Sequence, residues 1–207
     1  MYNIINLLLI YSLFHHIGHS INNNKVFMTI IKLSVSLCCS YLYLMYTDSL
    51  VLMKPILTSF LLYDSFYIIF YIGLKSLPYN SVLYHHLSVL YVINIDPYIS
   101  KNLSYIIFLG EFTNIFMYNH YLLIQYSNTK ATAISKKCLQ ISFYVEFFFY
   151  LSIRCFYFTY LIFQKKWRDS FDTSFYYSVF PIYIMGMMWS KNLIQQVKTN
   201  KIYNKNN

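Results

Sequence analysis

Two adjacent histidines, His85 and His86, stand in the run LYHHLSVLY (residues 83–91), which is otherwise nearly all apolar. An imidazole gains or loses a proton near neutral pH, so it can serve as a general acid or base. A neighbouring carboxylate orients the ring and raises its basicity. Candidate neighbours are few: Asp64, Glu111 and Glu146, the cation Arg154, the amide Asn114, and further histidines at His15, His16 and His120. All lie in or beside apolar blocks. Ionisable groups in such blocks are costly and usually face each other or a cavity. The chemistry this set suits is proton abstraction from a hydroxyl or amine of a lipid.

The apolar blocks must position these groups. Hydrophobic residues make up 57% of the 207. Charged residues make up 11%, against roughly one-quarter in soluble domains. A water-soluble chain of this length has too much surface for its volume to hide so much apolar area. The expected class is therefore an all-α, polytopic membrane helical bundle. Mean hydropathy is only +0.42 because the 24 tyrosines count as slightly polar, although they sit well at membrane interfaces. The net charge of +9 comes from lysines scattered between blocks, not from a basic stripe. That pattern argues against nucleic acid and for charged loops beside a membrane. Cys38, Cys39, Cys138 and Cys155 have no zinc or redox spacing and read as free thiols. The abundance of Asn, Ile, Lys, Tyr and Phe reflects an AT-rich coding sequence and carries no functional information.

A span needs about 20 mostly apolar residues. Candidates lie near 2–17, 26–46, 55–74, 80–95, 103–126, 139–163 and 173–190, giving about seven (six to seven) transmembrane helices. The first block lacks a basic leader and a small-residue cleavage site, so it reads as a retained span rather than a signal peptide. Pro55 is expected to open the third span, Pro78 and Pro97 to fall in loops, and Pro181 to kink the seventh. Residues 1–207 read as one membrane domain ending in a short basic tail, 191–207. With seven spans, Lys25, Lys75, Lys130, Lys136, Lys137, Lys191, Lys198, Lys201 and Lys205 share one side, and Lys54, Lys101, Lys165, Lys166 and Arg168 the other. The richer side is expected in the cytosol, with the C-terminus. Lys32, inside the second span, is expected to snorkel toward it.

Counting from these span ends puts Asp64, Glu111 and Arg154 roughly 12–14 Å deep from the opposite face, as one buried charge cluster. His85, His86, His120, Glu146, His15 and His16 fall within roughly 2–10 Å of the cytosolic face, as a second layer. Adjacent residues on a helix differ by about 100°, so His85 and His86 flank a crevice rather than point together. Each feature has a plainer reading. The histidine pair could only hydrogen-bond locally, His15, His16 and His19 could be a wet loop, and His120 reads as structural. Asp64, Glu111 and Arg154 read first as an ion network tying spans together. Glu146 is about 80° around the helix from Arg154, which makes direct pairing awkward. No motif supports a zinc site.

The ordered set resembles a known family. Ser12–His16 closes a first span, Tyr63-Asp64 lies in the third, and His85-His86 in the fourth. GEFTNIFMYN follows at 110–119, then Arg154 after a Phe-rich run, and Trp189 near the end of the last span. This is similar to the TLC domain, which includes the ceramide synthases, over about residues 10–195. The resemblance implies a multi-pass protein of the endoplasmic reticulum or another endomembrane, with membrane lipids as partners and no cofactor. In the synthases a histidine pair is associated with acyl transfer from acyl-CoA to a sphingoid amine, and His85-His86 match that pair. Where the synthases carry further aspartates, this chain has Gly110-Glu111 and Asn114, and is more like the non-synthase branch. That branch is implicated in lipid composition, trafficking or sensing. A transporter or channel is a third reading, without a visible inverted repeat or paired broken spans to support it.

Overall fold

The structure is a computed structural model that describes residues 6, 8–13, 16, 24–47, 49–72, 77–95, 100–128, 136–164 and 173–199. These residues are helical apart from short helix ends. We number the helices α1 (8–13), α2 (Asn24–Met45), α3 (Ser49–Tyr67), α4 (Leu77–Ile95), α5 (Ser100–Asn128), α6 (Lys136–Tyr150) and α7 (Thr173–Lys198). A π-helical segment, Ile68–Ile72, extends α3. A second, Leu151–Tyr157, carries α6 into a further helical stretch, Phe158–Phe163. Among the described residues, three helical rods are long and apolar enough to cross a membrane: Lys25–Met45, Ser49–Phe70 and Lys136–Phe163.

The packing pairs α2 with α3, α3 with α4, α4 with α7, α7 with α6, α6 with α5, and α5 with α2. These neighbours close a ring, and a contact between α3 and α5 crosses it. The α2–α5 seam is the most extensive, and α2 brings small residues to its buried face: Thr29, Ser36, Cys39 and Ser40. Small side chains let helix backbones approach closely where lipid removes the hydrophobic drive to pack. Tyr43 stacks on Phe108 at 4.5 Å along the same seam, and Phe116 stacks on Phe149 at 4.1 Å between α5 and α6. Tyr11 of α1 is buried against Phe60 and Tyr63 of α3.

The outer surface inverts that of a water-soluble protein. Val51, Phe70, Phe156 and Phe163 are each more than 70% exposed (72, 73, 73 and 74%). Meanwhile Asp64, Glu146 and Arg154 are buried. Apolar residues outward and charges inward is the arrangement a hydrocarbon solvent favours. The four cysteines are free thiols, as their spacing indicated.

Several boundaries differ from the sequence expectation. Pro55 lies inside α3 and does not open it, because the helix starts at Ser49. Leu50 and Met53 join the core, and that burial offsets the backbone hydrogen bond the proline cannot make. Pro78 is the second residue of α4, not a loop residue. There its missing N–H is one that a helix start leaves unpaired anyway. Pro97 lies outside the described residues. The helix α7 continues past 190 to Lys198, and Leu193 packs with Phe143 and Tyr150, so the start of the basic tail belongs to the bundle.

Candidate functional site

Lys32 is where the structure departs most from the sequence reading. Its ammonium does not snorkel outward but lies 2.9 Å from Asp64 Oδ2, with the Asp64 side chain 2% exposed. Asp64 is also 3.6 Å from Nε2 of His86, whose Nδ1 lies 3.4 Å from Ser65 Oγ. Lysine, carboxylate and imidazole thus meet from α2, α3 and α4. The expected grouping of Asp64 with Glu111 and Arg154, in a layer apart from the histidines, does not hold. The reason is the true start of α3. Counted back from Ile72, Asp64 is roughly 12 Å in, and His86 is roughly 13 Å from the start of α4 at Leu77. Lys32 is likewise roughly 12 Å from the start of α2.

The second cluster is built on the GEFTN run of α5. Residues 110, 113 and 114 fall at i, i+3 and i+4, on one helix face. They present the Gly110 carbonyl, Thr113 Oγ1 and Asn114 Oδ1 to Arg154. Arg154 Nε donates to Thr113 at 2.8 Å, and Nη2 donates to Gly110 O at 2.8 Å and to Asn114 at 3.0 Å. Its guanidinium also lies 5.4 Å from the centre of the Tyr150 ring. Glu111, turned about 100° from Gly110, faces α2 instead. It accepts from Ser36 Oγ at 2.5 Å and from Asn114 Nδ2 at 3.4 Å. The Asn114 amide therefore bridges carboxylate and guanidinium. Lys32 and Ser36 are one turn apart on α2, which stacks the two clusters roughly 6 Å apart along that helix.

The π segment aims Arg154. On an unbroken α-helix Arg154 would be turned about 80° from Glu146. A π turn takes more residues to close, and such turns recur at functional sites. Glu146, Tyr150 and Arg154 are all buried, at 2, 1 and 4% exposure, so the rod presents them inward together. No hydrophobic pattern in the sequence signals this shift of phase.

His85 and His86 diverge as adjacent helical residues must, with ring centres 6.0 Å apart. His86 turns to α3. His85 turns to α7, where its ring meets Trp189 edge-on at 5.7 Å. Its Nδ1 is buried and has no hydrogen-bond partner among the described residues. Ser190, next to Trp189, accepts from Cys155 Sγ at 2.9 Å, which ties α7 to the π segment beside Arg154.

No protein-family model, curated protein or solved structure matches this chain. The candidate site therefore rests on its geometry. That geometry brings together Asp64 and His86 on one level, and Glu111, Asn114 and Arg154 on the next, with His85 next to His86 and turned toward Trp189. It does not bring in His120 or His16 in the same way. His120 is sealed between α5 and α6, with Nδ1 2.7 Å from Ser142 Oγ and its ring edge-on to Phe143. His16 is exposed on the N-terminal segment, and His15 and His19 lie outside the described residues. Glu146 is buried on α6 one turn before Tyr150. Sequence reasoning directs Lys32 outward, away from the site, and passes over Ser36, Ser65 and Thr113. Lys32 carried a usable signal, being a lysine deep within an apolar block. The hydroxyl residues carried none, because serine and threonine are common in membrane helices for packing alone.

Proposed function

We propose that this is a TLC-type multi-pass membrane protein that binds lipid and influences membrane lipid composition, trafficking or sensing. In this reading the helices, about seven in all, span an endomembrane such as the endoplasmic reticulum, with the C-terminus in the cytosol. The observation that carries the proposal is the gathering of Lys32, Asp64, His86, Glu111 and Arg154 inside a helical ring whose outer surface is apolar. Burying so many ionisable groups in a hydrocarbon environment is costly unless they serve structure or a polar ligand. The TLC resemblance supports the lipid assignment through His85-His86, GEFTN and Trp189. The test is a comparative lipidome of cells expressing wild type and the His85→Ala/His86→Ala variant at equal levels. A shift in lipid classes on wild-type expression, reduced in the variant, is expected. Unchanged lipids in both, together with purified protein that retains no lipid, would refute the proposal.

One observation favours a second reading, N-acyl transfer from acyl-CoA to a sphingoid amine. Both nitrogens of His86 face partners, whereas Nδ1 of His85 has none among the described residues. His85 would accept the amine proton as nitrogen attacks the thioester carbonyl. The amide bond forms, the carbon–sulfur bond breaks, and the proton passes to the leaving thiolate. Amide formation from labelled acyl-CoA in isolated membranes that persists in the double-histidine variant would remove this mechanism.

A further inference from the structure

Resting on the lipid-handling reading above, we infer that Arg154 and His85 form the seat for the oxyanion head of an acyl-chain lipid. The inference begins with an imbalance. Arg154 is a buried cation whose three hydrogen bonds go to neutral oxygens. Among the described residues no carboxylate lies within 4.0 Å of its guanidinium. Glu111 accepts from Ser36 and Asn114, and no direct hydrogen bond joins it to Arg154 among the described residues; the Asn114 amide stands between them. The third guanidinium nitrogen, Nη1, donates to nothing among the described residues. A guanidinium in a low-dielectric setting with a donor to spare favours carboxylate or phosphate oxygens above other partners.

His85 supplies the second half. Its buried Nδ1 has no hydrogen-bond partner among the described residues. Trp189 and Ser190 on α7 connect the two: Trp189 touches the His85 ring, and Ser190 bonds to Cys155, the residue after Arg154. In this seat an imidazole N–H from α4 and the spare guanidinium N–H from the π segment each give the oxyanion one hydrogen bond. Asp64 does not compete for this place, because Lys32 and His86 already surround it.

Depth selects the ligand class. Arg154 is nine residues from the end of its rod at Phe163, roughly 14 Å, which is near the centre of an apolar slab about 30 Å thick. A water-soluble anion must lose its hydration to reach that level. An anion on an acyl chain brings compensating apolar transfer, about 0.8 kcal/mol per buried CH₂. The shared chemistry is an oxyanion on a hydrocarbon chain, found in the carboxylate of a fatty acid and in the phosphate of phosphatidic acid.

The test uses the full chain in phosphatidylcholine nanodiscs. Labelled oleate and dioleoyl phosphatidic acid are titrated against their uncharged counterparts, oleyl alcohol and dioleoylglycerol. Wild type is expected to hold at least one of the charged lipids about ten-fold more tightly than its neutral counterpart. Which of the two is preferred separates the carboxylate source from the phosphate source. Arg154→Gln is expected to abolish the preference. Because that variant could fail to fold, the paired swap Glu111→Gln with Asn114→Asp carries the decision. It keeps net charge and Arg154 but moves a carboxylate onto the guanidinium. The swap is expected to melt within a few degrees of wild type while binding charged and neutral lipids equally. Wild-type binding without headgroup preference, or a swap variant that keeps the preference, would overturn the anion seat and leave the lipid-handling reading standing. Equal displacement of both charged lipids by about 10 mM inorganic phosphate would overturn the acyl-chain requirement. Failure to bind any of the four lipids would overturn both the seat and the reading it rests on.

Discussion

The Asp64 cluster and the Arg154 cluster face the same problem and answer it differently. At Asp64, opposite charges meet directly, with Lys32 Nζ at 2.9 Å and His86 Nε2 at 3.6 Å. At Arg154, cation and carboxylate are held apart by Asn114, and the guanidinium leans on a carbonyl, a hydroxyl and an amide. The first arrangement sets its opposite charges against each other. The second leaves a donor to spare. Structural ion pairs in a membrane interior are expected to be closed in the first way. The open arrangement is the one from which a ligand could gain.

The largest expected effect tests the closed pair. Lys32→Met leaves the sealed Asp64 carboxylate without its ammonium and should destabilise the protein by about 3–5 kcal/mol, read by thermal unfolding in detergent. Adding Asp64→Leu should recover most of that loss, since apolar residues often replace a buried pair without penalty. The analogous double change at the other cluster, Arg154→Met with Glu111→Gln, should recover much less, because Asn114 Oδ1 keeps no cationic donor. Equal recovery at both sites would erase the contrast.

Next in size is Arg154→Lys. The point charge of lysine cannot reproduce the fork that reaches Thr113, Gly110 and Asn114 together, and the expected loss is about 2–3 kcal/mol. A neutral result would mean that charge alone, not geometry, matters there. The smallest pair compares two serines. Ser36→Ala removes a 2.5 Å bond to a carboxylate and should cost about 1–2 kcal/mol. Ser65→Ala removes only a 3.4 Å contact with His86 and should cost less than about 1 kcal/mol. A reversed order would show that the level with histidine, not the level with arginine, is the tightly held one.

Much of the helical layout could be read from the chain because apolar blocks and polar breaks are properties of local composition. The described helices match six of the expected blocks, and the seventh, 2–17, coincides with the short stretch 8–13. The residues singled out as chemically active were legible for a similar reason, since an ionisable group within an apolar block is conspicuous. Their partners were not. Depth counted from Pro55 groups Asp64 with Arg154, but α3 begins at Ser49, where packing of Leu50 and Met53 outweighs the proline at 55. A flexible lysine can snorkel, which points Lys32 outward, yet a buried carboxylate across the α2–α3 seam holds it inward.

The amino-acid order by itself determined the class of this protein: helices with apolar outer surfaces, and a small set of groups able to carry charge or protons within them. Hydrocarbon solvent demands as much of any chain with this composition, whatever its neighbours. Only the tertiary structure decided which groups meet. The phase of the π segment, the ring closure through α7, and the one-turn offset of Lys32 and Ser36 depend on contacts between residues far apart in the chain. No local pattern encodes those contacts.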